Sequence, residues 1–174
     1  MSKQQKTKGF TIIEVVLVLA IAGLIFLMVF IALPALQKSQ RDTQRKNDLS
    51  RIMVQMTNYS SNNRGSIPST LIAPVDGGDK PFVQNYLDGD SATVSGKSYV
   101  EPTTGNGYEF LEADTQPSAV GQVGYFFAAK CGVDGAILKD GAIVDSVAIS
   151  VGERQFALET KLENQDAIYC VDNQ

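Results

Sequence analysis

The chain has 174 residues and a mass of 18.8 kDa, with 44% apolar and 20% charged residues and a formal net charge of −4. That length supports one modest domain with an appendage. The absence of histidine excludes a Ser/His/Asp triad, a Cys/His pair and His-ligated zinc, and two cysteines are too few for an all-thiolate zinc site or a cysteine-bound iron–sulfur cluster.

In chain order, the first element is a basic leader. Residues 1–9 carry Lys3, Lys6 and Lys8 and no acid. Next comes an apolar span. Between Glu14 and Lys38 no residue is charged, and residues 15–36 read VVLVLAIAGLIFLMVFIALPAL. As a helix these residues reach roughly 33 Å, against a hydrocarbon core of about 30 Å, so the segment predicts a transmembrane helix. It is too long for an ordinary signal-peptide core, and no small-x-small cleavage site follows it. Charge leaves its orientation open. The five bases after the span lean toward a cytoplasmic C-terminal part, whereas a cysteine pair leans toward an oxidising compartment.

The junction Lys8-Gly9-Phe10-Thr11-Ile12-Ile13-Glu14 joins a basic leader ending in glycine, a phenylalanine opening the apolar run, and one carboxylate inside it. This composite resembles the class III signal of type IV prepilins and related pseudopilins, and the resemblance covers about residues 6–55. It implies cleavage after Gly9 on the cytoplasmic face by a prepilin peptidase, N-methylation of Phe10, and a C-terminal domain outside the membrane. A glycine at the cut suits an extended backbone in a tight protease groove. An ionised carboxylate inside a membrane helix costs about 2.5–3.5 kcal/mol and marks function by default. The bland alternative is an interfacial acid favoured by the helix dipole. The sharper reading makes Glu14 an assembly residue that pairs with the new Phe10 amine of a neighbouring subunit and fixes the register between helices. Gly23 and Pro34 predict a kink, near residues 31–34 for the proline. In the related filaments such breakers loosen the helix on packing, while simple tolerance in a membrane helix is the alternative.

Residues 37–63 contain no glycine or proline. Leu49, Ile52, Met53, Met56 and Tyr59 recur at helical spacing as one apolar stripe. The expectation is one continuous helix from residue 11 to about 62, with residues 37–48 an exposed polar neck. Residues 38–51 carry a net +3. Four explanations stand for that charge: lipid headgroups, acidic domains of neighbouring subunits, DNA, or local ion pairs such as Arg41 and Asp42 with Arg45. Residues 52–174 hold seven bases against sixteen acids, which disfavours a general nucleic-acid binder.

Residues 64–121 are turn-rich, with short elements expected at 82–87, 98–100 and 108–111. Asp88 and Asp90, like the acids of residues 76–79, are calcium candidates. Neither run fits an EF-hand loop, and Asp-Gly runs ordinarily make turns. Strands are expected at 123–130, 137–144 (a hairpin turning at Asp140-Gly141), 147–151, 155–162 (alternating, hence half-buried) and 167–171. Cys131 and Cys170 flank that region, and the resemblance supports a disulfide that staples the last strand to the first. A bridge closing such a loop contributes about 3–4 kcal/mol.

The chain is therefore expected to have an α+β fold, in which a long N-terminal helix, first transmembrane and then amphipathic, packs against a C-terminal antiparallel sheet as in type IV pilins. Its organisation would be a cleaved leader (1–9), a transmembrane and polymerisation helix (10–37), an extracytoplasmic neck and amphipathic helix (38–63), a variable αβ region (64–121) and a sheet with a disulfide-bounded loop (122–174). The implied function is that of a structural subunit, not an enzyme: a single-pass membrane prepilin, later part of a surface filament for adhesion, motility or DNA uptake. No cofactor is called for. Implied partners are other copies through the N-terminal helices, the prepilin peptidase, the assembly platform and minor pilins. The alternatives are a pseudopilin of a type II secretion or competence system and, in a different class, a membrane-tethered extracytoplasmic binding module.

Overall fold

A computed structural model describes residues 9–68, 71–72, 82–87, 99–139, 143–144, 147–148, 151–164 and 166–174. The leader lysines, the turns at 76–79 and 88–90 with the calcium candidates Asp88 and Asp90, and the Asp140-Gly141 turn lie outside these residues. The chain divides into two units, residues 1–38 and 39–174, and helix α1 (Ile12–Asn62) contributes to both.

In the first unit α1 is apolar all round and unburied: Phe10 is 90% exposed, Leu24 67% and Phe30 73%. Its backbone groups are satisfied inside the helix, the condition for crossing hydrocarbon. The helix continues through Pro34, and a Cβ added at Gly23 would meet nothing within 4 Å.

In the second unit the five stripe residues all face the core: Leu49, Ile52, Met53, Met56 and Tyr59 are buried. Gly65 N–H donates to Ser60 O at 2.7 Å and closes the helix end. A short helix α2 (Phe82–Tyr86) packs its Phe82 ring edge-on to Tyr59, with centroids 5.8 Å apart. Among the described residues the strands are β1 (Glu109–Phe110), β2 (Gln122–Phe127), β3 (Ala129–Cys131), β4 (Ile137–Lys139), β5 (Ile143–Val144), β6 (Val147–Ala148), β7 (Phe156–Lys161) and β8 (Ile168–Asp172). The main sheet runs β1-β2-β7-β8; β2, β7 and β8 are antiparallel, and β1 lies parallel to β2.

Strand alternation sets two faces. Val123, Tyr125, Phe156 and Leu158 join the α1 stripe in the main core, with Tyr169 and Val171 packed against it. Phe126 and Ala157 point the other way, where Ala129, Cys131, Ile137 and Cys170 form a second cluster.

Three strand expectations are corrected. The run at 123–130 is two strands, broken at Ala128, whose φ is +49°. The hairpin expected within 137–144 does not form as one pair: Ile137 pairs with Cys131, and Ile143–Val144 pairs with Val147–Ala148. Residues 156–160 are buried on both faces rather than half-buried, because β3, β4 and the segment around Thr115 and Pro117 cover the side away from α1. That cover needs glycine twice. A Cβ on Gly124 would come 2.6 Å from Thr115 O, and one on Gly135, at φ +79°, 2.5 Å from Ile168 O.

Ile52 is fully buried whereas Val54 is 56% exposed. Ile52→Ala is therefore expected to cost about 2–5 kcal/mol in urea unfolding, with Val54→Ala within about 0.5 kcal/mol of the parent.

Candidate functional site

At the start of α1, Thr11 and Glu14 form a reciprocal cap. The Glu14 carboxylate accepts from Thr11 N–H and from Thr11 Oγ1, both at 2.8 Å, and Glu14 N–H reaches back to Thr11 Oγ1 at 3.4 Å. This is the Thr-x-x-Glu capping box. Its signature, Thr11 and Glu14 three residues apart ahead of an apolar run, is local in the sequence, but a helix taken to start at residue 11 hides it. The carboxylate thus has donors within its own chain. Gly9 and Phe10 lie just outside the helix and are exposed, with nothing within 4 Å of a Cβ placed on Gly9. Beside Glu14 a shallow apolar depression of about 500 Å³ is lined by Phe10, Val15, Leu17, Val18 and Leu19.

The stretch expected to be an exposed neck is different. Asp42, Arg45 and Asp48 are buried and extend the inward stripe of α1 by two turns. Arg45 is fully buried. Its Nη1 donates to Asp42 Oδ1 at 2.8 Å and its Nε to Glu101 Oε1 at 3.0 Å; its Nη2 also pairs with Glu101 and donates to Thr103 Oγ1 at 2.6 Å and Glu163 Oε1 at 2.7 Å. Arg41 clamps both oxygens of Glu163 at 2.8 and 2.6 Å. Asp42 accepts the backbone N–H groups of Glu163 and Asn164, each at 2.9 Å. The network therefore fastens the loop at 101–104 and the β7–β8 turn to the helix.

The polar face can be buried because each charge is paired and its remaining donors are used. Those partners lie 56 and 118 positions away from Arg45, beyond any local pattern. Of the four explanations for the basic neck, the structure shows intramolecular ion pairing, and it extends well past the local Asp42 contact. Arg51 pairs with Asp48 at 3.1 Å, and Lys46 lies over the Tyr169 ring, 5.2 Å from its centroid.

The electrostatics follow the contacts. Burial alone would raise Glu101, but Arg45 and Thr104 N–H reverse it and hold the carboxyl below its ordinary value. Hydrogen bonds from Arg41 hold Glu163 far below the usual range. Burial raises Asp48, against the opposing Tyr108 hydroxyl, which donates to it at 3.1 Å.

Glu159 is the exception that sequence reasoning missed. It is fully buried, neither carboxylate oxygen has a hydrogen-bond partner, and burial pushes its pKa to about 7. Its place in an alternating strand reads as solvated, and nothing local announces the cover on that face.

Cys131 and Cys170 form a disulfide with Cα atoms 5.8 Å apart, tying β3 to β8. Among the described residues no group of three or more acids or cysteines is placed to hold a metal ion.

Residues 4–30 match the family described as the prokaryotic N-terminal methylation motif. The N-terminus is a class III signal of the type IV pilin and prepilin kind. The match stops within the apolar span, and no curated protein and no solved structure matches the chain. The motif supports a pilin-like or pseudopilin protein, with a structural rather than an enzymatic part to play. The membrane-capable helix and the disulfide agree with it.

Arg45→Met should destabilise the head by about 3–5 kcal/mol in chemical denaturation, because Glu101 is left buried without its cation, while Glu163 keeps Arg41. The pH profile has a worked sign. Glu101 and Glu163 are lowered in the fold, so their stabilisation is present above their unfolded value near 4.5 and is lost as pH falls through the folded values. Glu159 is raised, so its penalty is absent below about 4.5 and complete above about 7. Thermal stability is expected to peak near pH 5. Glu159→Gln should flatten the decline between pH 5 and 8, and an unchanged slope would count against the assignment.

Proposed function

We propose that the chain is a type IV pilus subunit, inserted as a prepilin, cut after Gly9, N-methylated at Phe10 and assembled through its apolar helix into a surface filament. The observation that carries this reading is the methylation motif continuing into a span whose apolar surface finds no cover in its own subunit. Buried apolar side chains are each worth about 1.5–3 kcal/mol, so lipid and then the helices of neighbouring copies are the surroundings that suit the span.

Glu14 gives the assembly step its specificity. In the lone subunit its carboxylate is held by Thr11. Cleavage before Phe10 leaves both Thr11 donors in place and creates an ammonium group. A neighbour's ammonium meeting this carboxylate neutralises two charges in an apolar core and fixes one axial register, the best-attested use of a buried ion pair. Gly23 and Pro34 are the proposed points where the helix adjusts during packing. On this reading residues 1–9 are the leader, 10–37 the polymerisation helix, 38–63 the extracytoplasmic part of α1, 64–121 the variable region and 122–174 the disulfide-braced sheet. The prepilin peptidase, the assembly platform and minor pilins are the partners, and adhesion, motility or DNA uptake the uses. A pseudopilin of a type II secretion or competence system shares the motif at residues 4–30, and electron microscopy of surface filaments separates the two.

Mass spectrometry of the membrane-extracted protein should find an N-methylated Phe10 terminus; a chain retaining its first nine residues beside an active peptidase would overturn the reading. Glu14→Val should still be cut, while filament yield falls by roughly an order of magnitude.

A further inference from the structure

Glu159 and the Cys131–Cys170 disulfide share one face of the sheet. Glu159 on β7 is the direct antiparallel partner of Cys170 on β8, and Gly124 of β2 is its partner on the other side. Directly opposed residues of an antiparallel pair put their Cβ atoms about 4.5–5.5 Å apart on the same face. Thr115 and Pro117 lie over Gly124, which seals the carboxylate from water on that flank. On the other flank both cysteines are half-buried and border a cleft of about 320 Å³, together with Lys46, Gly135 and Tyr169. A small oxidant can enter there, along a wall to which Lys46, over the Tyr169 ring, also contributes.

The remaining charged groups around this face are engaged elsewhere. Lys161, two residues along β7, holds Ser118 O at 2.9 Å and Asp166 at 3.1 Å. Asp172 on β8 accepts Cys131 N–H at 2.7 Å. Asp114 of the covering segment pairs with Lys139 of β4 at 2.6 Å, and Glu112 is exposed. Lys130 alternates to the opposite face of β3 from Cys131. Glu159 is thus a buried carboxylate with no partner, set across from one sulfur of a disulfide, a costly arrangement for which packing supplies no reason.

We propose that Glu159 is the proton acceptor for closure of this disulfide. In the reduced head, the Cys131 thiolate attacks a disulfide-bearing oxidant; one oxidant sulfur leaves as a thiolate and a mixed disulfide forms on Cys131. The Cys170 thiol then gives its proton to the Glu159 carboxylate as its sulfur attacks Cys131 Sγ. The Cys131–Cys170 bond forms, the bond to the oxidant breaks, and the electron pair departs with the second oxidant sulfur. That thiolate takes up a proton from solvent, and Glu159-H afterwards returns its own to solvent, which restores the base. Two protein thiols are oxidised and one oxidant disulfide is reduced to two thiols. A base whose pKa lies near the working pH suits the task, and burial places Glu159 at about 7. The same group, protonated, returns the proton when the bond is reduced, so it speeds exchange in both directions and leaves the equilibrium to the strands.

The test uses the detergent-solubilised full chain, reduced while folded and mixed with oxidised glutathione. Alkylation at timed intervals and mass analysis follow the conversion of mixed disulfide to closed disulfide from about pH 5.5 to 8.5. The parent should close about tenfold faster than Glu159→Gln at pH 7.5, with an inflection near pH 7 that the variant lacks, leaving only the thiol ionisation near pH 8.5. Equal rates with superimposable profiles would overturn the proposal. Should Glu159→Gln not fold by circular dichroism, the parent profile decides: an inflection near 7 supports the role, and one confined to about 8.5 overturns it.

Discussion

Residues 15–36 of α1 carry apolar surface that nothing in their own unit covers. Exposed to water, each large side chain in that run would forfeit about 1.5–3 kcal/mol, so the segment has no stable aqueous state and must always be placed against something apolar. A bilayer and a bundle of like helices are the two surroundings that meet the requirement without unsatisfied backbone groups. Much else follows from this constraint. The single carboxylate near the start has to be satisfied within the helix, and Thr11 does so. The charged and hydrogen-bonding residues are held back until after Leu36.

The second unit solves the opposite problem. Here α1 is one wall of a core in water, and its inward face changes character along its length, from Asp42, Arg45 and Asp48 to Leu49, Ile52, Met53, Met56 and Tyr59. The apolar half joins the sheet by burial. The polar half joins it by charge, with Arg45 acting as the junction between α1, the loop at 101–104 and the β7–β8 turn. On the far side of the sheet, β3, β4 and the disulfide add a third layer, so β7 is enclosed on both faces.

How far the sequence could be read depended on the reach of each signal. The methylation motif, the apolar span and the five-residue stripe are contiguous or periodic, and they were legible in full. Strands β7 and β8 came through because their apolar residues cluster between turns. The cysteine bridge followed from the family resemblance. Around Arg45 the sequence offers only an exposed polar neck and a local pair with Asp42, because its other carboxylates come from loops far along the chain. Glu159 is hidden from a sequence reading because alternation in residues 155–162 implies a half-buried strand, and the cover on its second face is built by segments with no regular pattern. The expected hairpin at 137–144 failed for a related reason: Ile137 found a better partner in Cys131, which the disulfide holds beside β8, and a local turn signal cannot report a competing neighbour.

The depth of the Arg45 cluster bears on the ionic conditions the head withstands. Mobile ions screen charges that solvent reaches, over about 8–10 Å at moderate ionic strength, but they do not enter a dry interior. The pairs Lys139–Asp114 and Lys161–Asp166 include side chains that are 46% and 79% exposed, so brine weakens them. Arg45 with Glu101 lies out of reach, at 0% and 1%. A head fastened this way keeps the loop at 101–104 on its helix in fresh water and in concentrated salt alike.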